Sequence, residues 1–104
     1  MTYYFLNKDK TYRPCDVLEW TYQMEHVDRC VGGDIIKEKF VSTVWLGLDH
    51  RINGGRPLLF ETMVFEEHRA GHDIYCQRYS TWDEAVAGHE HAIQWVKRGC
   101  KDED

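Results

Sequence analysis

The chain has 104 residues, of which 42% are hydrophobic and 30% charged, and its net charge is −5. This length suits one compact domain with a modest core, and the composition excludes extensive disorder. The acidic balance argues against a nucleic-acid partner, because nucleic-acid binding needs a clustered basic surface. Apolar runs such as residues 57–60 are short, whereas a membrane-spanning helix needs roughly 20 apolar residues.

We therefore expect a single domain over residues 1–100 and a frayed acidic tail over residues 101–104. The first residues show no basic stretch followed by an apolar run, so no secretory signal is predicted, and a cytoplasmic location is expected. Reduced thiols are the natural state there. No C-x-x-C spacing joins the four cysteines, which are Cys15, Cys30, Cys76 and Cys100.

The first part of the chain predicts a strand and a helix. Residues Thr2–Leu6 are aromatic and apolar, as in a strand. Asp16 and Glu19 have the spacing of a helix capping box, and apolar residues follow at helical intervals. We predict a helix from about residue 16 to residue 28, with Gly32 and Gly33 ending it.

The middle of the chain predicts three strands. Residues 40–48 and 58–65 are rich in β-branched and aromatic side chains, and the segment between them has strong turn composition. A further strand is predicted over residues 73–79, after a turn at Ala70-Gly71.

The last element is a second helix. Thr81 and Glu84 form a capping box, and Gly99 is a natural end. Its predicted apolar stripe consists of Trp82, Ala85, Val86, His89, Ala92, Ile93 and Val96. The predicted fold is α+β, with a small antiparallel sheet of about three to four strands, two helices and the order β-α-β-β-β-α.

Strand alternation assigns the side chains to two sheet faces, on the assumption of simple hairpin registers. Phe40, Val44, Phe60 and Val64 fall on the face that we expect the helices to cover. The second face is also apolar; it contains Val41, Thr43, Trp45, Leu59, Glu61, Met63, Phe65, Ile74, Cys76 and Arg78. Such a patch is typical of an interface or ligand groove. Under this assignment, Trp45→Ala is predicted to break assembly or binding without unfolding the chain.

Glu61 is the carboxylate of that second face. Unpaired burial would cost it several kcal/mol, so we predict a cross-strand ion pair with Arg78, which the assumed register places opposite. A ligand-binding role for Glu61 is the alternative.

Acid–base chemistry has one candidate pair, Asp49 and His50, at the point where a strand meets a glycine-rich loop. Asp49 could orient His50 as a general base, although both residues also suit a plain turn. No Ser or Cys nucleophile lies beside them in a known pattern. His89, on the apolar stripe, is interpreted as a core residue whose ring donates to a strand or loop carbonyl.

Metal and anion sites have weaker signals. His68 and His72 have i, i+4 spacing, but Arg69 stands where the H-E-x-x-H motif has Glu, so no metal or other cofactor is predicted. The loop between the first two central strands lacks the phosphate-binding pattern. Arg51 and Arg56, which flank it, could still bind an anionic ligand.

Three segments together resemble a group of small uncharacterised proteins of tailed bacteriophages and prophages: Ser42–His50 (STVWLGLDH), Pro57–Phe65 (PLLFETMVF) and Arg78–Ala85 (RYSTWDEA), with Gly88-His89 after the last. The likeness covers about the last two thirds of the chain, and the part before residue 40 matches less clearly. The resemblance implies a phage accessory protein made in the host cytoplasm, and it implies no specific activity.

Two classes of function follow from these observations. The first is a protein that binds a host or anti-phage-defence target, for example as an inhibitor of a CRISPR-type system, and that forms a homodimer; its binding residues are predicted to be Trp45, Asp49, His50, Arg51, Arg56, Glu61 and Arg78. The second is a small metal-dependent or acid/base hydrolase that uses Asp49 and His50, with Glu61 or His89. Sequestration of a nucleotide signal at Arg51 and Arg56 lies between the two.

Overall fold

A computed structural model describes residues 2–49, 55–66 and 73–102. Its elements, in chain order, are β1 (Thr2–Leu6), β2 (Tyr12–Cys15), α1 (Val17–His26), β3 (Cys30–Ile36), β4 (Lys39–Trp45), β5 (Leu48–Asp49), β6 (Phe60–Glu66), β7 (Asp73–Tyr79) and α2 (Trp82–Lys97). Across these residues the fold is α+β with two helices, as predicted. The strands form two antiparallel sheets and not one, and β2 and β3 were not predicted. Within the same ranges, neither helix is long and apolar enough to cross a membrane.

The smaller sheet has the order β2-β1-β5, and α1 packs against β1. α1 begins as predicted, because the Asp16 side chain accepts a hydrogen bond from the backbone N–H of Glu19 at 2.8 Å. The helix ends within two residues of the predicted position, but the predicted stop signal is wrong. The helix stops at His26, and Gly32 and Gly33 lie inside β3.

The larger sheet has the order β3-β4-β6-β7, with α2 packed on one face. The strand predicted over residues 40–48 is two strands in two sheets. Gly47 has φ +67°, a left-handed conformation that glycine adopts without strain. This bend ends β4 at Trp45 and directs β5 to pair with β1.

The predicted faces of β4 are wrong by one residue. Val41 lies opposite Val64 and Trp45 lies opposite Phe60, so these four side chains share the face covered by α2. A one-residue slip exchanges the two faces of a strand. The sequence could not determine that slip, because residues 46–59 leave the ladder between β4 and β6.

α2 starts at the predicted N-cap, where the Thr81 hydroxyl accepts from the backbone N–H of Glu84, and Gly99, at φ +78°, follows its last turn. The predicted apolar stripe of α2 is wrong at Val86, which is exposed. Trp95, which the prediction left out of the stripe, is buried. The proposed single domain and the frayed tail remain predictions.

The core between α2 and the larger sheet has two apolar clusters. One is centred on Val41, Val64 and Val96, and the other on Trp45 and Phe60. In the ladder, the row that separates them pairs Thr43 with Thr62. A polar row therefore crosses the middle of the core.

Candidate functional site

The face of the larger sheet opposite α2 is the main candidate site, and we call it the open face. Cross-strand pairing places its side chains in three rows. The members of the open face are Ile35, Phe40 and Phe65 in the first row, Ser42, Met63 and Cys76 in the second, and Cys30, Val44, Glu61 and Arg78 in the third. Neither helix of the described ranges packs on it.

The open face is apolar at one end and charged at the other. Ile35 is 76% exposed and Phe40 is 43% exposed, while Val44, Met63 and Phe65 are partly buried by their neighbours. Exposed aliphatic and aromatic groups side by side on a rigid sheet are a feature of protein interaction sites.

Glu61 and Arg78 form the predicted cross-strand ion pair. Arg78 Nε donates to Glu61 Oε2 at 2.9 Å, and the Glu61 side chain is only 12% exposed, against 43% for Arg78. The pair satisfies the carboxylate, and as a partly exposed pair it adds only about 0.2–1 kcal/mol to stability. Its position on the surface leaves it available to orient a partner.

Cys76 extends this polar group. Its Sγ lies 3.5 Å from Glu61 Oε2. Burial raises the pKa of the Cys76 thiol, and the Glu61 charge and hydrogen bond raise it further, while Arg78 opposes them. The thiol is therefore held in its protonated form, which is the poor nucleophile.

Trp45 is not part of the open face. It is 1% exposed, its ring packs against Phe60 and Tyr12, and its Nε1 donates to Gln23 Oε1 at 3.0 Å. The expectation that Trp45→Ala would disrupt binding and leave the fold intact is therefore wrong. Removing a buried Trp costs about 3–5 kcal/mol, so this substitution tests the fold instead.

Of the remaining predicted residues, the structure describes Asp49 and Arg56, which have different surroundings. Asp49 ends β5, opposite Thr2 in the smaller sheet. Arg56 donates to Glu84 at 2.9 Å, beside the N-terminus of α2. Burial raises the pKa of Glu84. The Thr81 hydroxyl and the Arg56 charge together outweigh this effect and hold the pKa below its ordinary value. The other predicted positions, His50, Arg51, His68 and His72, lie outside the described residues.

His89 occupies the polar row of the core. It is 8% exposed, and the sequence interpretation of a satisfied core histidine holds, although the partners are side chains and not carbonyls. Nε2 lies 2.7 Å from Asp34 Oδ2, and Nδ1 lies 2.7 Å from Thr43 Oγ1. The Thr43 hydroxyl in turn lies 2.5 Å from that of Thr62. A neutral His89 ring fits both contacts, because its Nε2–H donates to Asp34 and its Nδ1 accepts from the Thr43 hydroxyl.

Two glycines make room for neighbouring side chains, Gly32 for His89 and Gly88 for Tyr79. A Cβ at Gly32 would lie 2.8 Å from His89 Nε2, and a Cβ at Gly88 would lie 2.1 Å from Tyr79 Cζ. Tyr79 Oη is buried without a hydrogen-bond partner among the described residues. Burial raises the pKa of this phenol, and the neighbouring Thr62 hydroxyl opposes that rise.

The carboxylate–imidazole–hydroxyl order of Asp34, His89 and Thr43 is the order used in nucleophilic catalysis. Here the hydroxyl is closed off, because Thr43 and Thr62 are both 0% exposed, so no substrate reaches it in this conformation. Glu61 alternates with Thr62 on β6 and faces the other side of the sheet. A hydrolase site that joins Glu61 to His89 is therefore excluded.

Sequence reasoning missed Asp34 and Thr43 as partners of His89, and Thr62 as the partner of Thr43. The available signal was a threonine among the inward-facing apolar residues of each strand, Thr43 on β4 and Thr62 on β6. Over residues 2–49, 55–66 and 73–102, no three His, Cys, Asp or Glu side chains lie close enough together to hold a metal ion. Comparison of the chain with protein-family models, curated proteins and solved structures finds no match.

Proposed function

We propose that the protein is a phage-encoded accessory protein that acts by binding a host or anti-phage-defence protein in the host cytoplasm, and that the open face is its binding surface. The observation that carries the proposal is the exposure of Ile35 and Phe40 beside a surface ion pair. The phage context is an inference from sequence resemblance alone.

The chemistry of the open face suits a partner protein. Phe, Met and Arg are enriched at interfaces, and all three occur here as Phe40, Met63 and Arg78. The apolar end supplies buried area, which is the main source of affinity. At the other end, Glu61 and Arg78 neutralise each other, so a partner must match one pair of opposite charges and no net charge.

The other sequence-based functions gain no support from the described geometry. A nucleotide-binding role would need a free Arg56, whereas this guanidinium pairs with Glu84. A hydrolase that uses Asp49 and His50 would need a further catalytic group, and Asp49 ends β5, the edge strand of the smaller sheet. A second copy of the chain is the natural alternative partner of the open face, because C2 homodimers are the commonest oligomers.

The test compares two substitutions of the same kind. Phe40→Lys places a charge on the open face, and Leu18→Lys places one on the exposed side of α1, where Leu18 is 77% exposed. Thermal unfolding of both variants checks that the fold is kept. Each tagged protein is expressed during phage infection, and subunit number and co-purified proteins are measured by native mass spectrometry.

We expect wild type and Leu18→Lys to carry the same host or defence protein at fixed stoichiometry, and Phe40→Lys to lose it. If the protein is a stable dimer that Phe40→Lys converts to monomer, the partner of the open face is a second copy of the chain and not a host or defence protein. If the bound protein depends on Leu18 and not on Phe40, the open face is not the binding surface.

A further inference from the structure

A second site lies away from the open face, where β1 and the turn after it meet the end of α1 and the start of α2. A cleft of about 590 Å³ opens there, within the range of small-molecule sites. Phe5, Leu6, Val27 and Trp82 give it apolar walls. The size and the lining suit a compact apolar ligand body.

The wall of the cleft includes a buried amide. Gln23 is 1% exposed, and its Oε1 accepts from Leu6 N and Trp45 Nε1, while its Nε2 donates to Leu6 O, all at 3.0 Å. A primary amide has two N–H donors. The hydrogen bond to Leu6 O uses one of them, and the other has no acceptor among the described residues.

The charged groups of the cleft are mainly cationic. Lys8 and Lys10 both line it, and Lys10 Nζ lies 4.4 Å from the centre of the Trp82 ring. The one acidic lining residue, Asp28, accepts the backbone N–H of Cys30 at 2.9 Å. The two lysine ammonium groups outnumber the one carboxylate of the lining, and this balance favours an anion.

Lys10 and Trp82 also form the division between this cleft and a smaller one. The neighbouring cavity, of about 360 Å³, is lined by the same two residues, by the turn of the β1–β2 hairpin, and by Thr81 and Asp83 at the start of α2. Because the Lys10 side chain lies on the surface, moving its ammonium off the indole breaks only an exposed cation–π contact. A ligand that attracts this ammonium can enter without disturbing the core.

We propose that the cleft binds a small aromatic carboxylate. Its flat body lies against Phe5, Val27 and Trp82, and its carboxylate pairs with Lys10, beside the Gln23 amide in the wall of the cleft. This assignment does not depend on the open face or on a partner protein.

The experiment titrates the full chain with naphthalene-2-carboxylate, and with 2-naphthylmethanol and 2-naphthylmethylamine as neutral and cationic analogues of the same ring. Two-dimensional amide NMR follows the Gln23 side-chain NH₂ and the Trp82 indole. Lys10→Gln removes the proposed charge at nearly constant length, and Lys39→Gln makes the same change on β4, in the other sheet.

We expect saturable shifts at Gln23 and Trp82 with the carboxylate, and weaker binding of both analogues. Lys10→Gln should weaken the carboxylate by about threefold to fivefold, the range of an exposed ion pair, and Lys39→Gln should leave it unchanged. The proposal is overturned if the alcohol binds as well as the carboxylate, if the shifts map to Phe40 and Met63, or if no saturation occurs up to about 10 mM.

Discussion

Gly88→Ala is the sharpest test of the core, because the ordinary rule and this structure give opposite signs. In a helix interior, Ala is more stable than Gly by about 0.5–1 kcal/mol. Here the new Cβ would lie 2.1 Å from Cζ and 2.2 Å from Oη of Tyr79. Since carbon atoms in contact are about 3.5–4.0 Å apart, the ring would have to move by more than about 1 Å.

Overpacking of this kind costs about 1–3 kcal/mol. Subtraction of the helix-propensity gain leaves a range of about 0–2.5 kcal/mol. Because the contact is very short, we expect Gly88→Ala to lower the free energy of unfolding by about 1–2 kcal/mol, in the upper part of that range. For a domain of this size, that lowers Tm by about 5–15 °C. Urea unfolding followed by far-UV circular dichroism measures the change, and Ala87→Gly, at an exposed position of α2, gives the ordinary propensity cost of about 1 kcal/mol.

A double-mutant cycle assigns the clash to its partner. In a Tyr79→Leu background the ring is absent, so Gly88→Ala should become neutral or stabilising, which corresponds to a coupling energy of about 2 kcal/mol. If Gly88→Ala stabilises the wild-type chain, or if its effect is the same in both backgrounds, the close contact between the Tyr79 ring and α2 does not exist in solution.

Three further predictions use single substitutions. Burial raises the pKa of Tyr79 above its ordinary value of 10.0, so its contribution to stability is complete below about pH 10 and is lost as pH rises through the folded-state pKa; Tyr79→Phe should flatten the alkaline fall in urea-unfolding free energy, and an unchanged profile would contradict this. Glu61→Gln should lower the pKa of the Cys76 thiol and accelerate its alkylation by iodoacetamide at about pH 8, and Arg78→Gln should slow it; equal rates would show that the carboxylate does not act on the thiol. Glu38 has φ +66°, so Glu38→Gly should raise the unfolding free energy by about 0.5–1 kcal/mol in the same assay, and a loss would mean that the turn is not left-handed there.

The polar row makes the core favour one strand register, which apolar packing alone does not do. Replacing one member leaves the others buried and unpaired, which costs about 1–3 kcal/mol for each orphaned group. Such a row also specifies register, because a slip of β4 against β6 by one residue would separate Thr43 from Thr62 and remove the His89 partner. Asp34, on the edge strand β3, lets the row reach the surface.

Local signals in the sequence determined several elements correctly. β1 and β7 have the predicted bounds, both helices start at their capping boxes, and Glu61 pairs with Arg78 across β6 and β7 as predicted. In each case the signal is contained in one element or in two strands adjacent along the chain. The hydrogen bonds and side-chain alternation that define them act over a few residues.

Long-range contacts decided the rest. β3 contains Gly32 and Gly33, a pair typical of turns, and it forms a strand because it adds to the edge of the sheet and lets His89 approach at Gly32. Trp45 turns inward because β4 meets β6 in a register that no local pattern specifies. The open face and the cleft depend on that register and on the docking of α1, which exist only once distant parts of the chain have packed together.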